Sequence, residues 1–142
     1  MEVSAVRQQI LLAIERAKRT SADRRAVNDA AGREYGPFLE QIAVPLFRQA
    51  ATILRAEGYA FSLFTPSGSV RLMSDKSADD FIELGLDTSG PVPVVVGRTS
   101  RVWGNRTNVT EQTLNASVPI RDLAETDVLG FLLNAIEPFV GK

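Results

Sequence analysis

The sequence predicts an α+β domain, in which an antiparallel meander of five or six strands over about residues 59–118 is packed by N-terminal helices and a C-terminal helix. Three observations predict it. Apolar residues recur every third or fourth position up to Gly58, alternate with a period of two after it, and regain the helical period beyond Asp122. By its length the chain is expected to be one domain, 1–142, with 1–35 as a helical arm and 36–142 as a compact core.

The first helix is expected from Ser4, a suitable N-cap, to about Arg19. Its apolar positions form a narrow stripe of Val3, Val6, Ile10, Ala13, Ile14 and Ala17, with charges mostly on the other faces. Such a stripe suits a helix that pairs with another, so Val3, Val6, Ile10, Ile14 and Ala17 are the expected self-association surface. Thr20, Ser21 and Asp23 are expected to interrupt this helix, and Ala22 to Tyr35 to form a second, solvated one. Gly36 before Pro37 predicts a break or sharp bend, because a residue preceding proline is pushed away from helical angles.

Gly36 to Gly58 reads as the deeply buried helix of the chain. Phe38, Leu39, Ile42, Ala43, Leu46, Phe47, Ala50, Ile53 and Leu54 form a wide apolar face, Pro37 suits a first helical position, and Gly58 suits the cap. Pro45 falls inside this stretch. The apolar phase continues through it, which predicts a kink rather than a new helix.

Tyr59, Phe61 and Leu63 then alternate with smaller or polar neighbours, Thr65 to Gly68 make a turn, and Ser69 to Met73 return as a second strand. A third strand is expected around Ile82, Leu84 and Leu86, and a fourth over Val92 to Gly97, where Pro93 points to an edge or a strand start. Arg98 to Trp103 reads as a short fifth strand after a tight reversal, and Thr110 to Val118 as a weaker sixth. Asp122 with Glu125 resembles a capping arrangement, and the apolar run from Leu123 to Ile136 predicts a final helix limited by Pro138.

Composition narrows the chemistry. The chain has no cysteine and no histidine, which excludes disulfides, thiolate zinc sites, cysteine nucleophiles and the Ser/His/Asp and Cys/His arrangements. Sixteen basic residues against 17 acidic leave a net charge of −1, so no whole-molecule field draws the protein to nucleic acid or to an anionic membrane. Neither a glycine-rich dinucleotide fingerprint nor a lysine-containing phosphate loop occurs. No catalytic residue, cofactor or metal ligand set is assigned. The N-terminal segment lacks the basic head and apolar block of a signal peptide, and no apolar run approaches the length of a bilayer span, so a cytoplasmic location without a membrane partner is expected.

Two constellations compete for function. Thr88 to Thr110 contains Arg98, Arg101 and Arg106 and no acid; if Val102 faces the core, Arg101, Trp103 and Asn105 share a face, placing a planar cation beside a stacking surface. With Arg71 from the preceding hairpin, that patch would suit a phosphate, a carboxylate or an unstacked base. The acidic group Asp75, Asp79, Asp80, Glu83 and Asp87 fits no calcium loop and reads as turn caps and a solvated edge. Arg16, Lys18, Arg19, Arg24 and Arg25 are read as a solvated basic face diluted by Glu15 and Asp23. The leading expectation is a non-catalytic interaction protein that binds another protein or itself through its N-terminal helices. Nucleic-acid or small-anion binding through Arg98, Arg101, Trp103, Arg106 and Arg71 is the alternative.

Overall fold

The computed structural model describes residues 2–141. Its first third is one uninterrupted helical path: α1 (Val3–Phe38), a π-helical turn (Leu39–Ala43) and α2 (Val44–Ala56). At 1.5 Å per residue the path is about 80 Å long. No break occurs at Thr20–Asp23. Ser, Thr and Asp cost an exposed helix only a few tenths of a kcal/mol each, roughly 0.5, which is less than nucleating a second helix. The helix does not break at Gly36 either, and Pro37 lies inside α1 rather than at its start. Glycine has no Cβ to collide with the proline ring, so the restriction on the preceding residue is relaxed at this position.

Pro45 is accommodated by a π turn, so the helical path continues through it and no separate helix starts there. In a regular α-helix its missing N–H would have bonded the carbonyl of Gln41, and its ring would strike that carbonyl. The π turn widens the helix at this point, and Val44 donates to Leu39 O, five residues back. Pro45 thus becomes the second residue of α2 with helical angles on both sides. At the other end Gly58 adopts φ +93°, Tyr59 N donates to Leu54 O at 2.8 Å and Gly58 N to Arg55 O at 3.1 Å, a Schellman cap.

Five strands follow: β1 (Phe61–Phe64), β2 (Ser69–Ser74), β3 (Phe81–Asp87), β4 (Val94–Trp103) and β5 (Arg106–Thr113). They pair in chain order as an antiparallel meander, so the α+β class and the meander are as the periodicity predicts. The anticipated reversal at Gly97 does not exist, and Val94 to Trp103 is one strand. The reversal comes at Gly104–Asn105, where only Gly104 has positive φ, the pattern of a type II′ hairpin turn. Asn105 therefore sits in the turn and not on the face of Trp103. The anticipated sixth strand contributes only its first residues, Thr110–Thr113, to β5.

A 3₁₀ turn (Ile120–Asp122) leads to α3 (Glu125–Val140). The cap is shifted from the expected Asp122–Glu125 pair: the Ala124 amide donates to the Asp127 carboxylate at 2.8 Å. Pro138 lies within α3, whose final turn is closed by Gly141 N donating to Glu137 O. α2 lies on β1 and β2, and α3 on β3 and β4, so both helices cover one sheet face. Phe47, Val70, Leu72, Ile82, Leu84, Val95, Val128 and Leu132 are sealed between them. Ile53, expected in this core, faces solvent at 62% exposure.

Gly97 fixes the closeness of α3 to the sheet. Its Cα faces the Phe131 ring, and a Cβ there would collide with three ring carbons. Gly97→Ala is expected to destabilise the fold by about 1–3 kcal/mol through overpacking, measured by urea unfolding. Adding Phe131→Leu should return part of that loss.

Candidate functional site

Three places on the surface bear on function. The first is the N-terminal part of α1. Every residue from Glu2 to Val27 is exposed, including Val3 (84%), Val6, Ile10, Leu11, Leu12, Ile14 and Ala17. With 3.6 residues per turn, Val6, Ile10 and Ala17 lie on the same side of α1 as Ala31, Tyr35 and Phe38, which are buried against the domain. The stripe is thus the outward continuation of the face by which α1 enters its own core. Leu11 and Leu12 lie off the stripe, so Ile10 to Ile14 form an apolar girdle that the stripe pattern alone does not capture.

Two attachments hold this arm to the sheet. Arg24 Nη2 is 3.0 Å from Ser89 O and 3.4 Å from Thr88 O and Gly90 O, in the β3–β4 turn. Tyr35 donates its hydroxyl to Gly68 O at 2.7 Å, in the β1–β2 turn. Both turns lie at the same end of the meander, and α1 runs across that end before projecting beyond it. An exposed pair, Arg121–Glu34 at 3.3 Å, adds a contact from the 3₁₀ turn.

The second place is the sheet face that the helices leave uncovered. One register row crosses it: Phe64, Arg71, Glu83, Arg98 and Glu111. The charges alternate and pair, Arg71 with Glu83 at 2.6 Å and Arg98 with Glu111 at 2.7 Å, and Arg71 also lies over the Phe81 ring at 4.3 Å. A shallow depression of about 500 Å³ lies beside this row, lined by Ser69, Glu83, Gly85, Asp87, Arg98 and Glu111 among others. Its single cation is already bonded to Glu111, so the depression offers an anion little.

The third place is the tip of the β4–β5 hairpin. Trp103 is 61% exposed, the Arg101 guanidinium lies 4.6 Å from its ring centroid, and Arg106 is its register partner on β5. Cross-strand partners share a face, so Arg101, Trp103 and Arg106 stand together. Arg98 and Arg71 do not join them: along β4, Arg98 points to the opposite face from Arg101 and Trp103. Arg101 Nε is buried without a hydrogen-bond partner, and neither Arg101 nor Arg106 has a carboxylate in salt-bridge range among the described residues.

The acidic residues are dispersed into local duties. Asp75 binds Arg55 and Ser62, and those hydrogen bonds, Ser62 first, hold its carboxyl below the usual range. Asp87 accepts from the Ser89 hydroxyl and amide, which lowers it likewise, while Asp80 accepts from Val102 N at 2.7 Å. Among the described residues no group of three or more acids converges as a metal would need. The basic residues Arg16, Lys18, Arg19 and Arg25 are exposed on α1. No described helix is long and apolar enough to cross a membrane. The chain matches no protein-family model, and no curated protein or solved structure matches it significantly.

The Tyr35 hydroxyl reports on the arm's attachment. Burial, and secondarily the charge of Glu83, raise its pKa to about 12. An acid whose folded pKa exceeds its unfolded value, near 10, loses stabilisation as pH rises through that window, and the contribution is intact below it. In a Tyr59→Phe chain, tyrosinate absorbance should develop with a midpoint near 12. Tyr35→Phe is expected to cost about 1 kcal/mol at neutral pH and to flatten the alkaline loss of stability seen in urea titrations.

Proposed function

We propose that this protein is a non-catalytic interaction module that self-associates through the exposed stripe of α1, as a homodimer in its simplest form. The observation that carries the proposal is the arm itself. Every residue from Glu2 to Val27 is exposed in the single chain, Val3, Val6, Ile10 and Ile14 among them, so this part of the helix lacks the tertiary packing from which most helical stability in proteins comes. Pairing two arms along Val3, Val6, Ile10, Ile14 and Ala17 buries apolar surface and reinforces the helix at once. A second copy is the simplest partner, since an apolar stripe is chemically complementary to itself. The absence of cysteine accords with a cytoplasmic setting, where disulfides have no role. The carboxylates at Asp75, Asp80, Glu83 and Asp87 serve local hydrogen bonds, which supports binding over acid–base chemistry.

Sedimentation equilibrium tests this. At concentrations on the order of tens of micromolar the native chain should exceed the monomer mass. Ile10→Glu with Ile14→Glu should lower the mass at least twofold while leaving the circular dichroism of the sheet domain unchanged, because neither side chain touches it. A monomeric native chain, or an unchanged mass in the variant, would refute the proposal.

A second reading is favoured by one observation, the exposed Trp103 beside two arginines that have no salt bridge among the described residues. An unstacked base or a phosphorylated small molecule is the ligand such a tip would hold, by stacking on the indole and pairing with Arg101 and Arg106. Emission from the sole tryptophan should then be quenched by single-stranded oligonucleotides, less so as salt rises, and not in Arg101→Ala/Arg106→Ala. Constant emission across oligonucleotides and phosphorylated metabolites would sink this reading.

A further inference from the structure

β5 is an unusual strand for a folded domain, because all eight of its residues are exposed. It is held only by β4, and its outer edge faces solvent. The hydrogen-bond parity along it follows from two facts. The hairpin closes on the Trp103–Arg106 pair, and at the far end Leu114 N donates to Val95 O at 2.8 Å. Even-numbered residues therefore exchange their backbone bonds with β4, and the amides and carbonyls of Thr107, Val109, Glu111 and Thr113 point outward. Among the described residues nothing pairs with them. Of the usual protections of an edge β5 carries only the charges of Arg106 and Glu111, for it has no proline and no lysine and pairs with β4 without a bulge.

From this we infer that the β5 edge is a homotypic pairing surface, at which two copies join antiparallel about a two-fold axis through Val109 so that one sheet runs through both. This interface is separate from the arm and does not depend on it. A two-fold axis normal to the sheet keeps each side chain on its own face, so only registers that pair odd residues with odd residues satisfy the outward groups. With Val109 opposite the partner's Val109, Thr107 faces the partner's Glu111, Asn108 the partner's Thr110, and Arg106 the partner's Gln112. No like charges oppose one another. Val109, 55% exposed in the single chain, is covered by its own copy. Sliding by one step to place Thr110 on the axis brings the two Glu111 carboxylates into diagonal contact and sets Val109 against a carboxylate, which disfavours that register. An unrelated extended peptide would meet the same outward amides but would not be held in this two-fold register.

The test uses the full chain carrying Ile10→Glu and Ile14→Glu, so that arm pairing does not contribute. That chain should sediment as a dimer, and adding Val109→Pro should make it a monomer. The proline removes an outward N–H and leaves the β4 ladder intact, since Val109 does not donate to β4. The native sequence has no cysteine, so Val109→Cys in the same background reports position cleanly. Hydrogen-bonded partners have Cα atoms about 5.5 Å apart, too wide at Cβ for an unstrained disulfide but within reach of a short bis-maleimide, which should convert most of it to a linked dimer, whereas Thr113→Cys, about 27 Å from its counterpart in this register at ~3.4 Å per residue, should stay unlinked. A monomeric background chain, a dimer indifferent to Val109→Pro, or equal linking at positions 109 and 113 would overturn the inference. None of these results bears on the arm, whose own test compares native and Ile10→Glu/Ile14→Glu masses.

Discussion

The widened helical turn at Leu39–Ala43 is the constraint on which the rest of the molecule depends. It lets one helical path carry Pro45 without breaking, so residues on both sides of the proline stay in phase. Tyr35 and Phe38 before the turn, Ala43 within it, and Phe47 and Leu54 after it all enter the same core. Had the chain broken at Pro45, the burial of α2 would no longer determine where α1 points. Because it does not break, packing against the sheet and projection of the arm are properties of one element.

The two faces of the sheet are finished by different physics. On one, α2 and α3 supply aliphatic and aromatic cover, drawn close by the missing side chain at Gly97. On the other, the cover is the row Arg71, Glu83, Arg98 and Glu111, whose alkyl stems and paired charges lie over the strands. Such pairs add little stability at the surface, yet they consume the cations that a ligand would need. On the sheet that leaves the hairpin tip, where among the described residues Arg101 and Arg106 have no carboxylate in salt-bridge range, as the place where cations remain free.

Much of the architecture was legible in the sequence because periodicity is a direct imprint of burial. The change from helical spacing to alternation at Gly58 and the apolar pattern of α3 located the elements, and Val70, Leu72, Ile82 and Leu84 sit in the core as their alternation implies. Where the boundaries differ from the expected ones the cause is common, namely that a local breaker acts only in its structural context. Gly36 before Pro37, Thr20 to Asp23, and Pro138 each carry a small local cost that the continuing helix absorbs. Gly97 resembles a turn glycine in sequence, but its partner, the Phe131 ring, lies far away along the chain. Strand parity likewise divides Arg98 from Arg101, although only two residues separate them on β4. The attachments through Arg24 and Tyr35 left no sequence signal, since each is a side chain reaching a distant backbone carbonyl.

Those attachments give the arm a mechanical property. Arg24 and Tyr35 hold α1 at two points about 16 Å apart, and Val3 lies about 30 Å beyond the outer one. With Tyr35 as pivot, α1 is a lever whose long side is the arm, and a sideways displacement of the β3–β4 turn is magnified about threefold at its tip. A sub-ångström adjustment where Arg24 grips Thr88, Ser89 and Gly90 thereby becomes a change in the angle at which the molecule presents its apolar stripe.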